Sequence, residues 1–192
     1  MASEVLTLGF DTSAAHCAAA LLSGERVVAC RAEEMARGQA ERLMPLLEEV
    51  LAEGGATWRG LSRIGVGIGP GNFTGIRIAV AAARGLALSL DISAIGINTF
   101  DVIRACGRGG TPVVPAPRGM VHVAPRGARP ALVPAAGVAD PVAPPPPAEM
   151  ARLIALLARA APANSPLPAP LYARPADAAP ARDAPPLILD DA

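Results

Sequence analysis

The chain has 192 residues, 52% of them apolar, and its 17 acidic and 17 basic side chains give a formal net charge of zero. This length suits one domain, or one domain with a small appendage. Proteins that bind nucleic acid through its phosphates usually carry a basic excess or a basic stripe, so composition argues against autonomous nucleic-acid binding. The N-terminus lacks the basic residues of a signal peptide, and no apolar run reaches the roughly 20 residues that cross a bilayer. We therefore predict a cytoplasmic protein with no membrane contact.

Residues 1–105 have the pattern of a folded domain. Short apolar runs bounded by turn residues predict five strands. The second and third are joined by the short turn at Ser23 and Gly24, which is typical of a hairpin. The predicted strands are residues 5–10, 17–22, 26–31, 64–68 and 94–97.

Two helices are predicted between these strands. Apolar residues recur at helical spacing over Gln39–Glu53, and two glycines follow that segment. Because proline is disfavoured inside a helix, Pro45 favours either a start near Leu43 or a kink. Phe73–Leu90 predicts a second, alanine-rich helix.

The predicted order is three strands, helix, strand, helix, strand. This order matches the ribonuclease-H-like half-domain found in actin and hexokinase. We therefore predict an α/β fold with an actin-like N-terminal domain at residues 1–105.

Residues 106–192 differ in composition, since all but two of the 21 prolines lie beyond Gly110. Proline removes a backbone donor and is excluded from central strands. One helix is predicted at 149–161, and 113–114 and 120–123 are candidate short strands. We predict a reduced, proline-rich second lobe, because no second set of three strands and two helices fits.

Two segments have the composition of phosphate-binding turns. The first follows the first strand, and the second runs from the fourth strand into a helix, where backbone N–H groups favour anions. Both allow a structural interpretation: Asp, Thr and Ser favour plain β-turns, and glycines permit tight turns and close packing. The candidate residues are Asp11, Thr12, Ser13, Gly69, Gly71, Asn72, Thr74 and Gly75.

Other catalytic constellations are missing from the sequence. His16 and His122 lie far apart, without the spacing of a metal-binding pair. A His16–Cys17 pair is disfavoured because adjacent strand residues point to opposite faces. There is no GxSxG nucleophile motif and no paired carboxylate for acid–base catalysis. We predict no catalytic residue and no metal site.

The second helix is apolar on several faces. Such a helix is either fully buried or shared with a partner. In this chain the two alternatives are a protein interface and burial under the C-terminal segment.

Four motifs resemble a known family. The segment at 8–13 resembles its opening strand and "DTS" turn, and 39–45 resembles its "HSExLLP" helix, with Gln39 in place of His. The segment Gly67–Arg77 resembles "GxGPGSFTGxR", with Asn72 in place of Ser, and 170–175 resembles "PxYxRxP". The chain is identified by these motifs as a member of the TsaB (YeaZ) family.

The resemblance implies an actin-like fold without activity of its own. Family members pair with the catalytic subunit TsaD and, with the ATPase TsaE, transfer a threonylcarbamoyl group to the adenosine beside the tRNA anticodon. The complex uses ATP, whereas this subunit needs no cofactor and meets tRNA only indirectly. The two phosphate-type turns are then vestigial.

The family's pairing surface is formed by the two N-terminal helices. Carried over by position, the predicted interface residues are Leu43, Leu46, Leu47, Val50, Ile76, Arg77, Ile78 and Val80. A homodimer through the same surface is a further expectation, since unpaired apolar helices seek cover.

One departure from the family pattern concerns the second lobe. Its "DARRGEVY"-like strand has no acidic counterpart at 115–122. A nucleotide cleft needs two lobes, so this departure puts such a cleft in doubt. An actin-like small-molecule kinase or ATPase is the alternative, and it would need a second phosphate loop and a catalytic acid that the sequence does not show.

Overall fold

A five-stranded sheet organises the first half of the chain in the computed structural model, which describes residues 5–124, 129–162 and 164–173. The strand order is β3-β2-β1-β4-β5, with β1 antiparallel to β2 and parallel to β4. The hairpin β2–β3 is antiparallel, and β4 and β5 are parallel. The strands are β1 (Leu6–Asp11), β2 (His16–Ser23), β3 (Arg26–Glu34), β4 (Arg63–Gly67) and β5 (Ser93–Ile97).

Two helices cover one face of this sheet, and their predicted bounds are confirmed: α1 spans Gln39–Glu53 and α2 spans Phe73–Leu90. Helix α1 passes through Pro45 without a later start. The Asn72 side chain caps α2 by accepting a hydrogen bond from the Gly75 N–H at 2.9 Å. Capping satisfies a donor that the first helical turn leaves unpaired.

The opposite face is covered by two further helices. The short helix α3 (Thr99–Ala105) follows β5 directly, and α4 (Pro147–Ala160) crosses the sheet. A methyl group on Gly9 would lie 2.5 Å from the Ala155 nitrogen, so glycine at this position lets α4 approach the backbone of β1. The Arg63 guanidinium donates to the Ala158 carbonyl at 2.9 Å and caps the C-terminal end of α4.

A smaller sheet forms the second lobe. Its order is β8-β7-β6-β9, and it packs against α3 through Phe100 and Ile103. The predicted strands at 113–114 and 120–123 are both present. The four strands are β6 (Thr111–Ala116), β7 (Met120–Val123), β8 (Ala131–Pro134) and β9 (Pro141–Val142).

The packing of α4 changes the domain division expected from sequence. Helix α4 lies within residues 106–192, yet its buried side chains pack on the first sheet. A boundary at residue 105 would therefore remove one layer from the first domain. The α/β fold with a reduced second lobe stands, but the second lobe in the described chain is the small sheet, and α4 belongs to the first core.

Candidate functional site

The carboxylate of Asp11 is buried at the end of β1, with 1% exposure. Its Oδ2 accepts hydrogen bonds from the Ser13 backbone N–H at 3.1 Å and the Ser13 hydroxyl at 2.9 Å. The Nε2 atom of His16 lies 2.7 Å from the same oxygen. A methyl group on Gly67 would clash with Oδ1, so this glycine makes room for the carboxylate. The sequence analysis did not predict the contacts of Asp11 with His16 and Gly67. The second glycine in β4, Gly67, was the available signal for the close approach of the carboxylate.

The two predicted phosphate-type turns lie against each other. The Thr12 hydroxyl donates to the Gly75 carbonyl at 2.6 Å, and the Asn72 N–H donates to the Ser13 carbonyl at 2.6 Å. A methyl group on Gly75 would lie 1.8 Å from the Thr12 oxygen. The Thr12 hydroxyl and the Asn72 N–H, two donors that could face a phosphate, therefore bond to protein acceptors. Of the remaining candidates, Gly71 lies in this contact against Ser13, Gly69 lies against Ile76, and Thr74 is exposed.

The thiol next to this cluster is inert. Cys17 has no exposed surface, and burial, followed by the nearby Glu33 carboxylate, raises the pKa of its thiol to about 11. A thiol reacts as the thiolate, whose fraction at neutral pH falls as the pKa rises.

We expect Cys17 to react with a thiol-specific disulfide reagent at least about 100-fold more slowly in the folded chain than in denaturant. The Cys30→Ser, Cys106→Ser double variant leaves Cys17 as the single thiol. The absorbance of the thiolate released from the reagent then reports the reaction of Cys17 alone. Equal rates in buffer and denaturant would contradict the burial of Cys17.

The predicted interface residues fall into two groups. Those on α1, together with Ile76 and Val80 on α2, are between 0 and 4% exposed and pack in the chain's own core. This corrects the prediction, since a side chain without exposed surface cannot line a docking face. Arg77 is exposed and Ile78 is partly exposed. The buried residues are Leu43, Leu46, Leu47, Val50, Ile76 and Val80.

The solvent-facing side of α2 carries other apolar residues. Leu88 is 86% exposed and Phe73 is 47% exposed, at opposite ends of the helix. Small residues, Ala81 and Gly85, lie exposed between them. On the neighbouring helix, Met44 is 37% exposed. The helices predicted as the interface therefore present a largely apolar surface, to which most of the residues named from sequence do not contribute.

Three side chains form a cluster at the N-terminal end of α2. The guanidinium carbon of Arg77 lies 3.7 Å from the centre of the Phe73 ring. Its Nε donates to the Tyr172 hydroxyl at 2.8 Å, and the two aromatic rings are 5.2 Å apart. The glycine-rich motif and the closing motif thus meet in space. Arg174 and Pro175 of the closing motif lie outside the described residues.

The edge of α1 next to β3 is charged and internally paired. Arg42 bonds Glu33 at 2.6 Å and Glu49 at 2.8 Å, and these hydrogen bonds hold the pKa of both carboxyls below their usual range. Arg31 pairs with Glu49 and Glu53 on the same edge. Because its charges are satisfied, this edge is less suited than α2 to bind an oppositely charged partner.

Two features of the described residues bear on other functions. No group of three His, Cys, Asp or Glu side chains that could hold a metal occurs in residues 5–124, 129–162 and 164–173. Helix α2 is long and apolar enough to cross a membrane by length and composition alone. Its inner side packs on β4 and β5, as a core helix of a globular protein does.

Residues 31–123 match the family model described as "TsaD: tRNA N6-adenosine threonylcarbamoyltransferase". The TsaB proteins of Bacillus subtilis and Escherichia coli, both described as tRNA threonylcarbamoyladenosine biosynthesis proteins, are 34% and 33% identical over 60% and 48% of this chain. These matches cover 52% and 40% of the two relatives. The chain thus spans about half the length of the curated relatives it matches.

A solved structure, YeaZ from Pseudomonas aeruginosa, superimposes with a TM-score of 0.65 at 25% identity, over 81% of this chain and 92% of that one. The sheet order, the helical layers and the paired turns define an α/β protein of the actin-like ATPase fold. Together with the named relatives, these features make the chain similar to the TsaB (YeaZ) proteins.

Proposed function

We propose that this chain is a non-catalytic subunit that binds and supports a TsaD-type catalytic subunit in threonylcarbamoyl transfer to tRNA. The observation that carries the proposal is the apolar solvent-facing side of α2, on which Leu88 is 86% exposed. Relatives of the chain are named as proteins of threonylcarbamoyladenosine biosynthesis, which supplies the pathway. The proposed site of action is the cytoplasm.

The shape of the α2 surface suits another helix. Large apolar side chains stand at its ends, Phe73 and Leu88, and between them lie the small Ala81 and Gly85 together with the exposed Arg77 and Arg84. Interaxial distances between packed helices depend on the side chains at the contact, so small central residues allow a close approach. Met44 extends the apolar surface onto α1. We propose a helical partner surface of matching apolar character, with a homodimer as the arrangement of the free chain.

The paired turns support a binding role over catalysis. The Asp11 carboxylate and the Thr12 hydroxyl bond to groups of the chain itself. A nucleotide would have to displace these contacts. In the proposed complex ATP is consumed by a TsaE-type partner, and tRNA is contacted through the catalytic subunit.

The test is co-purification of the full chain with the TsaD homologue of its source organism, followed by size-exclusion chromatography with light scattering. We expect a one-to-one complex. Leu88→Glu places a charge in the apolar surface and should weaken binding about tenfold or more. Leu167→Glu is the matched control, because Leu167 is 66% exposed and belongs to neither α1 nor α2. This change should leave the affinity nearly unaffected.

Both variants should keep the unfolding free energy of the parent within about 0.5 kcal/mol, since neither leucine is buried. Separate elution of the two parent proteins would contradict the proposed function. ATP turnover by the isolated chain well above background would favour the kinase or ATPase alternative.

A further inference from the structure

The Arg77 side chain is fixed by two contacts within the single chain. Its guanidinium lies over the Phe73 ring at 3.7 Å, a distance suited to a cation–π contact, and its Nε is bonded to the Tyr172 hydroxyl at 2.8 Å. A free arginine loses rotamer freedom when it binds, at a cost of up to about 2 kcal/mol. A side chain that is already fixed loses less, which favours binding.

The contacts that fix Arg77 leave its outer edge available. Nε is used by Tyr172, whereas within the described residues no acceptor bonds the two terminal nitrogens. This edge of a guanidinium matches a carboxylate in two parallel hydrogen bonds. Helix α2 contains no acidic residue, and its other cation, Arg84, is exposed. The complementary group on a partner is therefore an anion, which a protein partner supplies as a carboxylate.

Tyr172 reaches α2 on a segment that is itself anchored to the first sheet. The Leu171 N–H donates to the Ile68 carbonyl at 2.8 Å, and Pro168 is buried against Gly96. This anchoring carries the phenol to a helix that lies 95 positions earlier in the chain. The C-terminal segment thus contributes to the α2 surface.

The same aromatic residues are poorly arranged for stacking a nucleic-acid base. Base stacking requires an open ring face. The guanidinium of Arg77 covers one face of Phe73, and the Tyr172 ring packs beside it. A protein carboxylate fits this cluster better than single-stranded RNA does.

We infer that Arg77 is the ionic anchor of the α2 surface for a carboxylate on the partner protein, and that Tyr172 is the positioning residue that holds it. The inference rests on the proposed function and adds a residue-level account of how that partner is recognised. It also assigns a role to the closing motif, which the helix-based interface leaves unused.

The test measures the dissociation constant of the full chain for the TsaD homologue at low and high salt. We expect Arg77→Gln to weaken binding about 30-fold and Arg77→Lys, which keeps the charge but loses the planar fork, about tenfold. The matched control is Arg84→Lys, on the same helix, with a change under about threefold. The salt dependence of binding should flatten in Arg77→Gln and persist in Arg84→Lys.

Tyr172→Phe removes one hydroxyl and keeps the ring. We expect it to weaken binding about three- to tenfold, the range of one hydrogen bond. Nuclear magnetic resonance gives a readout independent of the partner: the Arg77 Nε–H should exchange slowly with water in the parent chain and quickly in Tyr172→Phe.

The outcomes separate the inference from the proposed function. If the parent chain fails to bind the TsaD homologue, both are overturned. If the parent binds and the lysine variants at 77 and 84 behave alike, the anchor is overturned and the proposed function stands. Unchanged affinity and exchange in Tyr172→Phe would overturn the positioning role. Loss of single-stranded RNA binding in Arg77→Gln, with partner affinity retained, would replace the carboxylate by RNA.

Discussion

Gly75→Ala should destabilise the chain by about 3 kcal/mol, the upper end of the cost of overpacking a closed site. The added methyl group would lie 1.8 Å from the Thr12 carbonyl oxygen, a backbone atom held in the contact between the two turns. Either the first turn of α2 or the β1–β2 turn must move. Urea denaturation followed by circular dichroism measures the loss of unfolding free energy.

Gly85→Ala is the control on the same helix. A methyl group there meets nothing within 4 Å. Alanine is the better helix former, so this change should stabilise the chain by about 0.5–1 kcal/mol. If the Gly75 and Gly85 variants have the same stability, the paired turns do not pack as described.

Leu47→Ala should cost about 3 kcal/mol, as large-to-small changes in cores do. Leu47 has no exposed surface and lies in the core cluster between α1 and the first sheet. It was predicted as an interface residue, so this experiment decides between core and surface. We expect a lower urea midpoint and, for the molecules that remain folded, an unchanged affinity for the partner.

Met44→Ala on the same helix is the matched change. Met44 is 37% exposed, so its truncation should cost under about 1 kcal/mol. Its effect, if any, should be on partner binding. Loss of binding without loss of stability in Leu47→Ala would restore that residue to the interface.

Helices α1 and α2 could be predicted because their local signals are strong, although Pro45 left the start of α1 open. Apolar periodicity fixes α1, Gly54 ends it, and Asn72 caps the start of α2. The short helix α3 was missed, although Asn98 accepts from the Asp101 N–H at 2.9 Å in an ordinary N-terminal cap. A helix of seven residues has too few turns for periodicity to stand out.

The second-lobe strands β8 and β9 were also missed. They have four and two residues, and each contains a proline, which disfavours a strand assignment. Their pairing with β7 and β6 decides their conformation. Tertiary contacts of this kind are not encoded in any local pattern.

The candidate site shows a similar division between local and distant information. The turns were identified from residue types, but the hydrogen bond between Thr12 and Gly75 joins residues 63 positions apart in the sequence. An apolar stripe shows which face of α1 is buried. It does not show whether that face is buried against the chain's own sheet or against a partner. Leu47 is buried in the chain's own core.

The helix that covers the back of the first sheet is synthesised long after that sheet. About 50 residues separate β5 from α4, which is about 3 to 10 s of translation at ordinary ribosome speeds. During that interval the face of the nascent sheet that α4 will cover is exposed. This face carries Gly9, Ala18 and Ala20, which expose little apolar area, beside the larger Leu22, Ile95 and Ile97. A partly made chain therefore offers chaperones and other nascent chains a less adhesive surface than a leucine-rich face would.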